Sequence, residues 1–238
     1  MVAESTLQLA APANRDRVDL LERDRELARA LAPALRDSPR VRLWAETMKL
    51  EVGPWNPDAD QPSENHLGFL VLDGLLGRRV LLPDRGRSLE LLGKGDLLRP
   101  WYEDSVSFSR VAWTVFEPTL VAVLEGSLGV GAHGMPTLLE LLTDRALRRS
   151  RRLAVSAAIA NTVGVEDRLV LLLGQLAELW GEKRPGGALL QFNLSHQTLA
   201  DLVGARRPTV TVALRELAER GLVHRDESGG WRLAGSPP

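Results

Sequence analysis

Residues 195–233, SHQTLADLVGARRPTVTVALRELAERGLVHRDESGGWRL, contain two short amphipathic runs separated by a glycine. The first run ends at Gly204, and glycine readily takes the left-handed backbone conformation that joins two short helices. Ser195 is a candidate N-cap for the first helix. Pro208 stands where the second helix begins, and its missing N–H costs nothing there. This pattern predicts a helix-turn-helix.

Two strand-like stretches follow the second helix. Residues 222–224 and 231–233 flank a glycine-containing turn, which predicts a two-stranded wing. The alternative is a solvated pair of amphipathic helices inside an ordinary α domain. That alternative does not account for turn, proline, arginines and wing in this order, so we predict a winged helix-turn-helix.

The outer side of the second helix carries cationic and hydroxyl side chains. We expect this helix to begin near Arg206 and Arg207. Arginine and hydroxyl groups at the N-terminal part of such a helix suit major-groove readout and phosphate contact. The candidate DNA-contacting residues of this helix are Arg206, Arg207, Thr209, Thr211 and Arg215. Arg207 is the first choice for guanine recognition, with Arg206 and Arg215 next for base or backbone.

The composition is that of a globular chain. Its 238 residues suffice for two domains, with 44% hydrophobic and 26% charged residues. No uncharged apolar run is long enough to span a membrane. The first residues lack a basic region followed by an apolar stretch, so we expect no secretion signal. The chain has no cysteine, which excludes disulfides, thiolate metal sites and cysteine nucleophiles. We therefore expect a cytoplasmic location and no membrane partner.

The net charge of the chain does not by itself indicate a nucleic-acid partner. The formal net charge of the chain is −1. Residues 195–238 contain six Arg and no Lys against five acidic residues, a balance of +1. The distribution of these charges therefore matters more than their sum. We expect modest non-specific DNA affinity and a shallow dependence on salt concentration.

The N-terminal half changes character several times. Residues 1–14 show no clear hydrophobic period, and we expect them to form a flexible N-terminal lead segment. Residues 15–35 have the apolar pattern of one helix. Between residues 41 and 125, short strand-like segments alternate with turn signals such as Asp73-Gly74 and residues 93–96. Many short strands at this spacing predict a small barrel or jelly roll.

A long helical pattern follows at residues 137–164. Positions separated alternately by three and four residues resemble a coiled-coil seam: Leu139, Leu142, Ala146, Arg149, Leu153, Ser156 and Ala160. This pattern predicts a dimerisation helix, and the alternative is a helix packed on its own barrel. Four arginines (Arg148, Arg149, Arg151 and Arg152) are expected to form a solvated face or an ion-pair network. Residues 165–180 predict another helix, and GEKRPGGA at 181–188 predicts a polar turn.

Helix, barrel, long helix and winged helix-turn-helix in this order resemble the cyclic-AMP receptor protein / fumarate–nitrate reduction regulator (Crp/Fnr) family over roughly residues 41–233. The segment QTLADLVGARRPTVTVALRELAERGLV is similar to the family's DNA-binding signature at nearly every position. The segment LELLGKGDLL resembles the glycine-aspartate turn before its phosphate-binding cassette. The resemblance implies an α+β fold with an N-terminal double-stranded β-helix (jelly-roll) barrel, a long dimerisation helix and a C-terminal winged helix-turn-helix.

The resemblance also implies a division of the chain and a function. Residues 1–40 form the lead and first helix, 41–134 the cyclic-nucleotide-binding-like barrel, 135–163 the dimerisation helix, and 164–238 the DNA-binding domain. The expected function is a transcription regulator that binds a pseudo-palindromic double-stranded DNA site as a homodimer. Ser195, Gln197 and Thr209 match positions that hold phosphates in the family. Glu103 and Asp104 are candidates for an RNA polymerase contact.

Departures from the family pattern affect the barrel site and the second helix of the helix-turn-helix, which we call the recognition helix. Arg99-Pro100 replaces the Gly-Glu pair that accepts the ribose hydroxyl. Arg110 matches the phosphate-clamping arginine, but Val111 replaces the hydroxyl that follows it. We therefore do not expect cyclic AMP as the effector, and we expect no cofactor. In the recognition helix, the positions of two further base-reading residues are occupied by Pro208 and Val212.

Three hypotheses about the barrel stay open at this point. It is a small-molecule (anion or nucleotide) sensor, with a pocket near Arg99 and Arg110 that gates DNA binding, or it serves only folding and dimerisation. An interior filled by Leu70, Leu72, Leu92 and Val115 would argue against the sensor. The third hypothesis is a metal enzyme of the cupin kind, which needs clustered histidines. The four histidines are scattered along the chain, so we expect no enzyme.

Overall fold

The computed structural model describes residues 16–33, 42–60, 66–83, 87–101, 109–125 and 131–235, the side chains of the last range from residue 135. The expected lead (1–14) and the candidate polymerase contacts Glu103 and Asp104 lie outside these residues. The architecture is α+β: an antiparallel barrel, a long helix and a winged helix-turn-helix, as the sequence predicts.

The N-terminal region contains a strand and two helices where the sequence pattern predicts one helix. Strand β1 (Arg17–Asp19) is followed by α1 (Leu20–Arg23) and α2 (Arg25–Leu31). Asp24 between the helices has an extended backbone (φ −125°, ψ 100°), and its carboxylate accepts the Leu27 N–H at 3.0 Å. The carboxylate caps α2 at the point where a continuous helix is predicted. The apolar period continues across the break because both helices cover the same core.

The barrel consists of antiparallel strands. These are β2 (Trp44–Leu50), β3 (Gly53–Trp55), β4 (His66–Leu81), β5 (Arg87–Gly93), β6 (Leu97–Leu98) and β7 (Arg110–Glu125), with a short 3-10 helix at Pro57–Asp60. The sheet order is β1-β2-β7-β4-β5, with β3 paired to β7 and β6 paired to β4. The two 16-residue strands β4 and β7 pair along their whole length and form the central pair of the sheet.

Of the two turn signals in this region, one is a turn and the other is not. At residues 93–96, Asp96 N–H donates to Gly93 O at 3.0 Å, and the Asp96 carboxylate accepts Gly93 N–H at 2.9 Å. At Asp73-Gly74, however, β4 continues through register shifts against β7. Gly74 has φ +91°, and a Cβ there would lie 2.4 Å from Pro118 O. The glycine therefore serves a β-bulge and a close backbone approach.

Successive side chains of β4 enter two different hydrophobic clusters. Phe69 and Val71 belong to an inner cluster, whereas Leu70 and Leu72 belong to an outer one under α1, α2 and the long helix. This alternation is the period of two expected for a strand. The N-terminal helices therefore cover the outside of the barrel, and the inside has a core of its own.

The long helix α3 (Gly131–Ala160) leads to α4 (Val165–Trp180) and then to the C-terminal domain. That domain contains β8 (Glu182–Arg184), β9 (Gly187–Leu190), α5 (His196–Val203), α6 (Arg207–Glu219), β10 (Val223–Arg225) and β11 (Trp231–Ala234). Strands β10 and β11 are the predicted wing.

The polar turn predicted at 181–188 is instead a hairpin, which extends the wing to four strands in the order β10-β11-β9-β8. A Cβ at Gly187 would lie 1.8 Å from Leu233 O, so the glycine allows β9 to approach β11. All three side chains of β8 are exposed, so this strand lacks the alternation that reveals strands in a sequence.

Candidate nucleic-acid interface

The helix-turn-helix has the local geometry that its sequence predicts. Ser195 Oγ accepts the Thr198 N–H at 3.0 Å and caps α5. Gly204 ends α5 in the left-handed conformation (φ 63°, ψ 37°). Helix α6 begins at Arg207 with Arg206 as its N-cap, and Pro208 lies in its first turn. Each local signal therefore acts where we expect it to act.

Packing of the two helices determines which side of α6 faces outward. Both helices contribute to one apolar core with α4 and the wing, and the members from α5 and α6 are Leu199, Ala200, Val203, Val210, Ala213, Leu214 and Leu217. Because this side is buried, the remaining positions of α6 are turned to the surface.

The predicted DNA-contacting residues of α6 all lie on this surface: Arg206, Arg207, Thr209, Thr211 and Arg215 are exposed. Within the described part of the chain, Arg206 and Arg207 form no ion pair. Arg215 Nε lies 3.8 Å from Glu219 Oε1 in an exposed pair. Among the described side chains, none caps the first turn of α6, so the N–H groups of Arg207 and Thr209 are available to an anion such as a DNA phosphate.

The start of α5 lies beside this surface. His196 Nδ1 is 2.9 Å from Thr211 Oγ1, and Thr211 Oγ1 donates to Arg207 O at 3.0 Å. The structure therefore places the start of α5, where Ser195 and Gln197 lie, next to Thr211 on the outer side of α6. Ser195 Oγ is used by the helix cap, whereas the half-buried Gln197 donates one amide hydrogen to Asp201 Oδ1 at 2.8 Å.

Sequence reasoning missed His196, which lies between the recognition helix and the wing. Its ring centroid is 6.1 Å from that of Trp231, and the Arg225 guanidinium lies 4.5 Å from the Trp231 ring centroid. Burial, followed by the positive charges of Arg225 and Arg207, lowers the pKa of His196 below its ordinary value. The only signal in the sequence was its place between Ser195 and Gln197.

An open cleft of about 480 Å³ separates the barrel from the N-terminal end of α6. Its lining combines three arginines with one carboxylate: Arg87 from β5, Arg168 from α4 and Arg206, against Asp201. Thr209 also lines it. This cleft beside the start of α6 therefore has an excess of positive charge, although the C-terminal domain as a whole is nearly neutral.

The structure does not bring Arg99 and Arg110 together, so the described residues form no pocket that contains both. Arg99 Nη2 donates to His66 O at 3.4 Å, at the start of β4. Arg110 pairs in register with Leu81, at the opposite end of the same 16-residue strand. Both side chains are exposed. The expectation of one site that contains both residues is therefore wrong, since β4 runs the full length of the barrel between them.

Aromatic rings occupy the barrel interior in its described part. Trp55 contacts Phe69 and Trp113, with ring centroids 6.1 and 5.6 Å apart, and Phe69 contacts Trp101 at 4.8 Å. Of the four residues expected to fill the interior, Leu92 and Val115 do so. Leu70 and Leu72 point outward to the helices, because alternate residues of β4 face opposite sides.

The predicted dimer seam of α3 is wrong at three of its seven positions. Leu142 is buried against the N-terminal helices, Arg149 forms two hydrogen bonds with Glu90 (2.5 and 2.8 Å), and Ser156 Oγ lies 3.4 Å from Gln175 Oε1. The cause is that the helix also packs on its own chain, which a seven-residue pattern does not reveal.

The exposed stripe of α3 is shifted around the helix from the predicted seam. It runs through six uncharged, exposed side chains: Leu139, Thr143, Ala146, Ser150, Leu153 and Ala157. We call these six residues the uncharged stripe.

The arginines of α3 are mainly ion-paired. Arg148 pairs with Glu26 at 2.7 Å, Arg149 with Glu90, and Arg152 with Asp96. Buried Arg145 binds Asp24 and Glu26 at 2.7 and 2.9 Å. The ion-pair network, one of the two expectations for this cluster, is confirmed for three of its four arginines, and it fastens α3 to the barrel and to α2. Arg151 is exposed and has no ion pair with the described residues.

Within the described ranges, no three histidine or acidic side chains are arranged to hold a metal ion. Among the helices described, none combines the length and the apolar character that a membrane crossing requires.

The chain is similar to known proteins both in sequence and in structure. Residues 167–233 match the family described as the Crp-like helix-turn-helix domain. A CRP-like cAMP-activated global transcriptional regulator of Mycobacterium tuberculosis is 29% identical over 159 residues, which cover 65% of this chain and 70% of that protein.

Two solved structures share the fold. A cyclic nucleotide-binding domain containing protein of Listeria monocytogenes aligns with a TM-score of 0.60 at 14% identity, covering 87% of this chain and 97% of that one. A CRP-family transcriptional regulator of Thermus thermophilus aligns with a TM-score of 0.58 at 18% identity, covering 79% and 92%. The chain therefore carries a Crp-like helix-turn-helix domain on the fold of the CRP/FNR family regulators, as the resemblance in its sequence predicts.

Proposed function

We propose that the protein is a sequence-specific DNA-binding transcription regulator that acts as a homodimer on a pseudo-palindromic site. The observation that carries the proposal is the N-terminal part of α6. It exposes Arg206, Arg207 and Thr209 together, beside an uncapped helix start and with no ion pair to the arginines in the described residues. This arrangement suits entry into a major groove.

The residues of the interface have distinct roles in this proposal. Arg207 reads a guanine through a bidentate hydrogen bond, and Arg206 and Arg215 contact bases or backbone. Thr209, Thr211 and the start of α5 at Ser195 and Gln197 contact phosphates, which set register without reading sequence.

The uncharged stripe of α3 supports the dimer. Exposed helix faces normally carry charge, but this stripe has leucine, alanine, serine and threonine only. A two-fold axis along it would pair identical stripes. The recognition helices of the two subunits would then enter successive major grooves about 34 Å apart. We also propose the domain division 1–40, 41–134, 135–163 and 164–238 that the family resemblance implies.

We do not extend the proposal to a sensor site within the barrel, because Arg99 and Arg110 lie at opposite ends of β4 and aromatic rings occupy the interior. Nor do we propose a catalytic role. A regulator of this kind works in the cytoplasm, and contact with RNA polymerase through Glu103 and Asp104 stays a prediction.

The test is selection of bound sequences from random DNA by the purified, ligand-free protein, read by sequencing. Enrichment of an inverted repeat supports a dimeric, sequence-specific regulator that needs no effector. An enriched single half-site would contradict the dimer. No enrichment by folded protein would contradict the proposal of effector-free, site-specific binding.

A further inference from the structure

One carboxylate joins the barrel to the DNA-binding domain. Asp201 lies on α5, and its side chain is only 4% exposed. Arg79 Nη2 from β4 lies 3.2 Å from its Oδ2, and Arg87 Nε from β5 lies 3.0 Å from its Oδ1. A buried carboxylate requires such charged partners. Here both charges come from a different domain.

The same carboxylate also holds a predicted phosphate contact. Gln197 stands one helical turn before Asp201, and its Nε2 donates to Asp201 Oδ1 at 2.8 Å. An ionised carboxylate only accepts hydrogen bonds, so the amide nitrogen of Gln197 must face it. The second hydrogen of this nitrogen is then available at the N-terminal end of α5, beside α6.

A second contact fixes the segment just before α5. Asn193 N–H donates to Glu117 Oε1 of β7 at 3.1 Å. The barrel therefore touches α5 at Asp201 and the approach to α5 at Asn193. A rotation of the DNA-binding domain away from the barrel would break both contacts and leave the Asp201 carboxylate without its two guanidinium partners.

We propose that Arg79 and Arg87 of the barrel are positioning residues for DNA binding: through Asp201 they hold the Gln197 amide in the orientation that donates to a DNA phosphate. The inference rests on the proposed function. In this arrangement the barrel takes part in DNA binding without contacting a ligand of its own.

The test is a double-mutant cycle with the full-length protein. It measures the affinity for the operator, the DNA site that the protein selects from random sequences. Arg87→Gln is the first substitution, because the Arg87 side chain is 50% exposed and Arg79 still neutralises Asp201, so the protein should fold. Gln197→Ala is the second. We expect Arg87→Gln to weaken operator binding roughly fivefold in the wild-type protein and to have little effect in the Gln197→Ala background, since coupled neighbours are not additive.

The matched control is Arg42→Gln. Arg42 is also a barrel arginine in an ion pair, with Asp19 and Glu22, and its loss removes the same charge. We expect it to leave operator affinity unchanged. Unchanged circular dichroism and unfolding curves would show that each variant is folded.

Two results would overturn the inference while the proposed function stands. If Arg87→Gln and the double variant Arg79→Gln/Arg87→Gln leave operator affinity unchanged, the arginines do not position the interface. If Arg87→Gln costs the same factor with and without Gln197, its charge attracts DNA directly. Failure of the wild-type protein to select any site would overturn the proposed function itself.

Discussion

Arg206 and Arg207 carry charges that no acidic group neutralises in the described part of the protein, at the exposed start of a helix. Other arginines of the structure are paired, such as Arg145 with Asp24 and Arg220 with Glu166. Free guanidinium groups on a packed helix gain most from an anionic partner. At the scale of single residues, two adjacent arginines without ion pairs to the described residues stand exposed at the start of α6, where an anion can bind them.

The first prediction concerns Arg207. We expect Arg207→Ala to reduce the preference for the operator over random DNA by about 1–3 kcal/mol, the usual contribution of a bidentate arginine–guanine pair. Competition binding with operator and random duplexes measures this preference. Arg220→Ala, at the far end of α6, is the control and should leave the preference intact. Equal losses on both duplexes would mean that Arg207 only holds a phosphate.

The second prediction concerns pH and His196. Its pKa is lowered in the folded protein by burial and by Arg225 and Arg207. As the pH falls through about 6.5, the unfolded chain therefore binds a proton that the folded domain resists, and the free energy of unfolding decreases. Urea unfolding at pH 7.5 and 5.5 should show a smaller decrease for His196→Asn than for wild type. His224→Asn, which alters an exposed histidine of the wing, serves as the control. An identical decrease in all three proteins would contradict the assignment.

At the scale of elements, both ion pairs and apolar contacts attach α3 to the barrel and to the N-terminal helices. Arg145 is 4% exposed and binds Asp24, which also caps α2. Burial by itself would raise the pKa of Asp24, but hydrogen bonds from Arg145 and Leu27 N–H, with the charge of Arg145, outweigh it and keep the pKa low. One carboxylate therefore both starts α2 and fastens it to α3.

The third prediction follows from this burial. Arg145→Ala leaves Asp24 without its charged partner, so we expect the free energy of unfolding to fall by about 3–5 kcal/mol. Arg148→Ala removes a surface pair with Glu26 in which both side chains are nearly half exposed, and should cost about 0–1 kcal/mol. Urea denaturation compares the two variants. Similar small losses in both would show that the Arg145 pair contributes no more than a surface pair.

At the scale of the whole molecule, the two sides of α3 have separate tasks. One side binds the barrel and the N-terminal helices, and the other presents the uncharged stripe to solvent. The proposed dimer uses only the second side. The contacts within each subunit, including the Asp201 junction, would then be unchanged by assembly.

The fourth prediction tests the dimer. Leu153→Glu places a charge in the centre of the uncharged stripe, and burial of two such charges at a two-fold interface is strongly unfavourable. We expect monomers in sedimentation experiments. Val155→Glu, at a similarly exposed position off the stripe, should remain dimeric. A dimeric Leu153→Glu variant would place the interface elsewhere.

Much of the fold was predictable because its signals are local. Ser195, Gly204 and Pro208 act through caps and backbone conformations that involve only a few neighbouring residues. The alternation of apolar residues likewise predicts the barrel strands. At Asp73-Gly74 the local signal was misleading. The glycine is needed there because Pro118 O, from a strand distant in sequence, lies where a Cβ would be.

The sequence by itself determined the winged helix-turn-helix, the start of α6 and the arginines that α6 exposes, because helix caps and periodic packing depend on short segments of chain. Only the tertiary structure decided which side of α3 is free, that Arg99 and Arg110 lie apart, and that Arg79 and Arg87 meet Asp201. These features join residues as far as 122 positions apart. Their geometry depends on how whole elements pack, and no spacing within a segment records it.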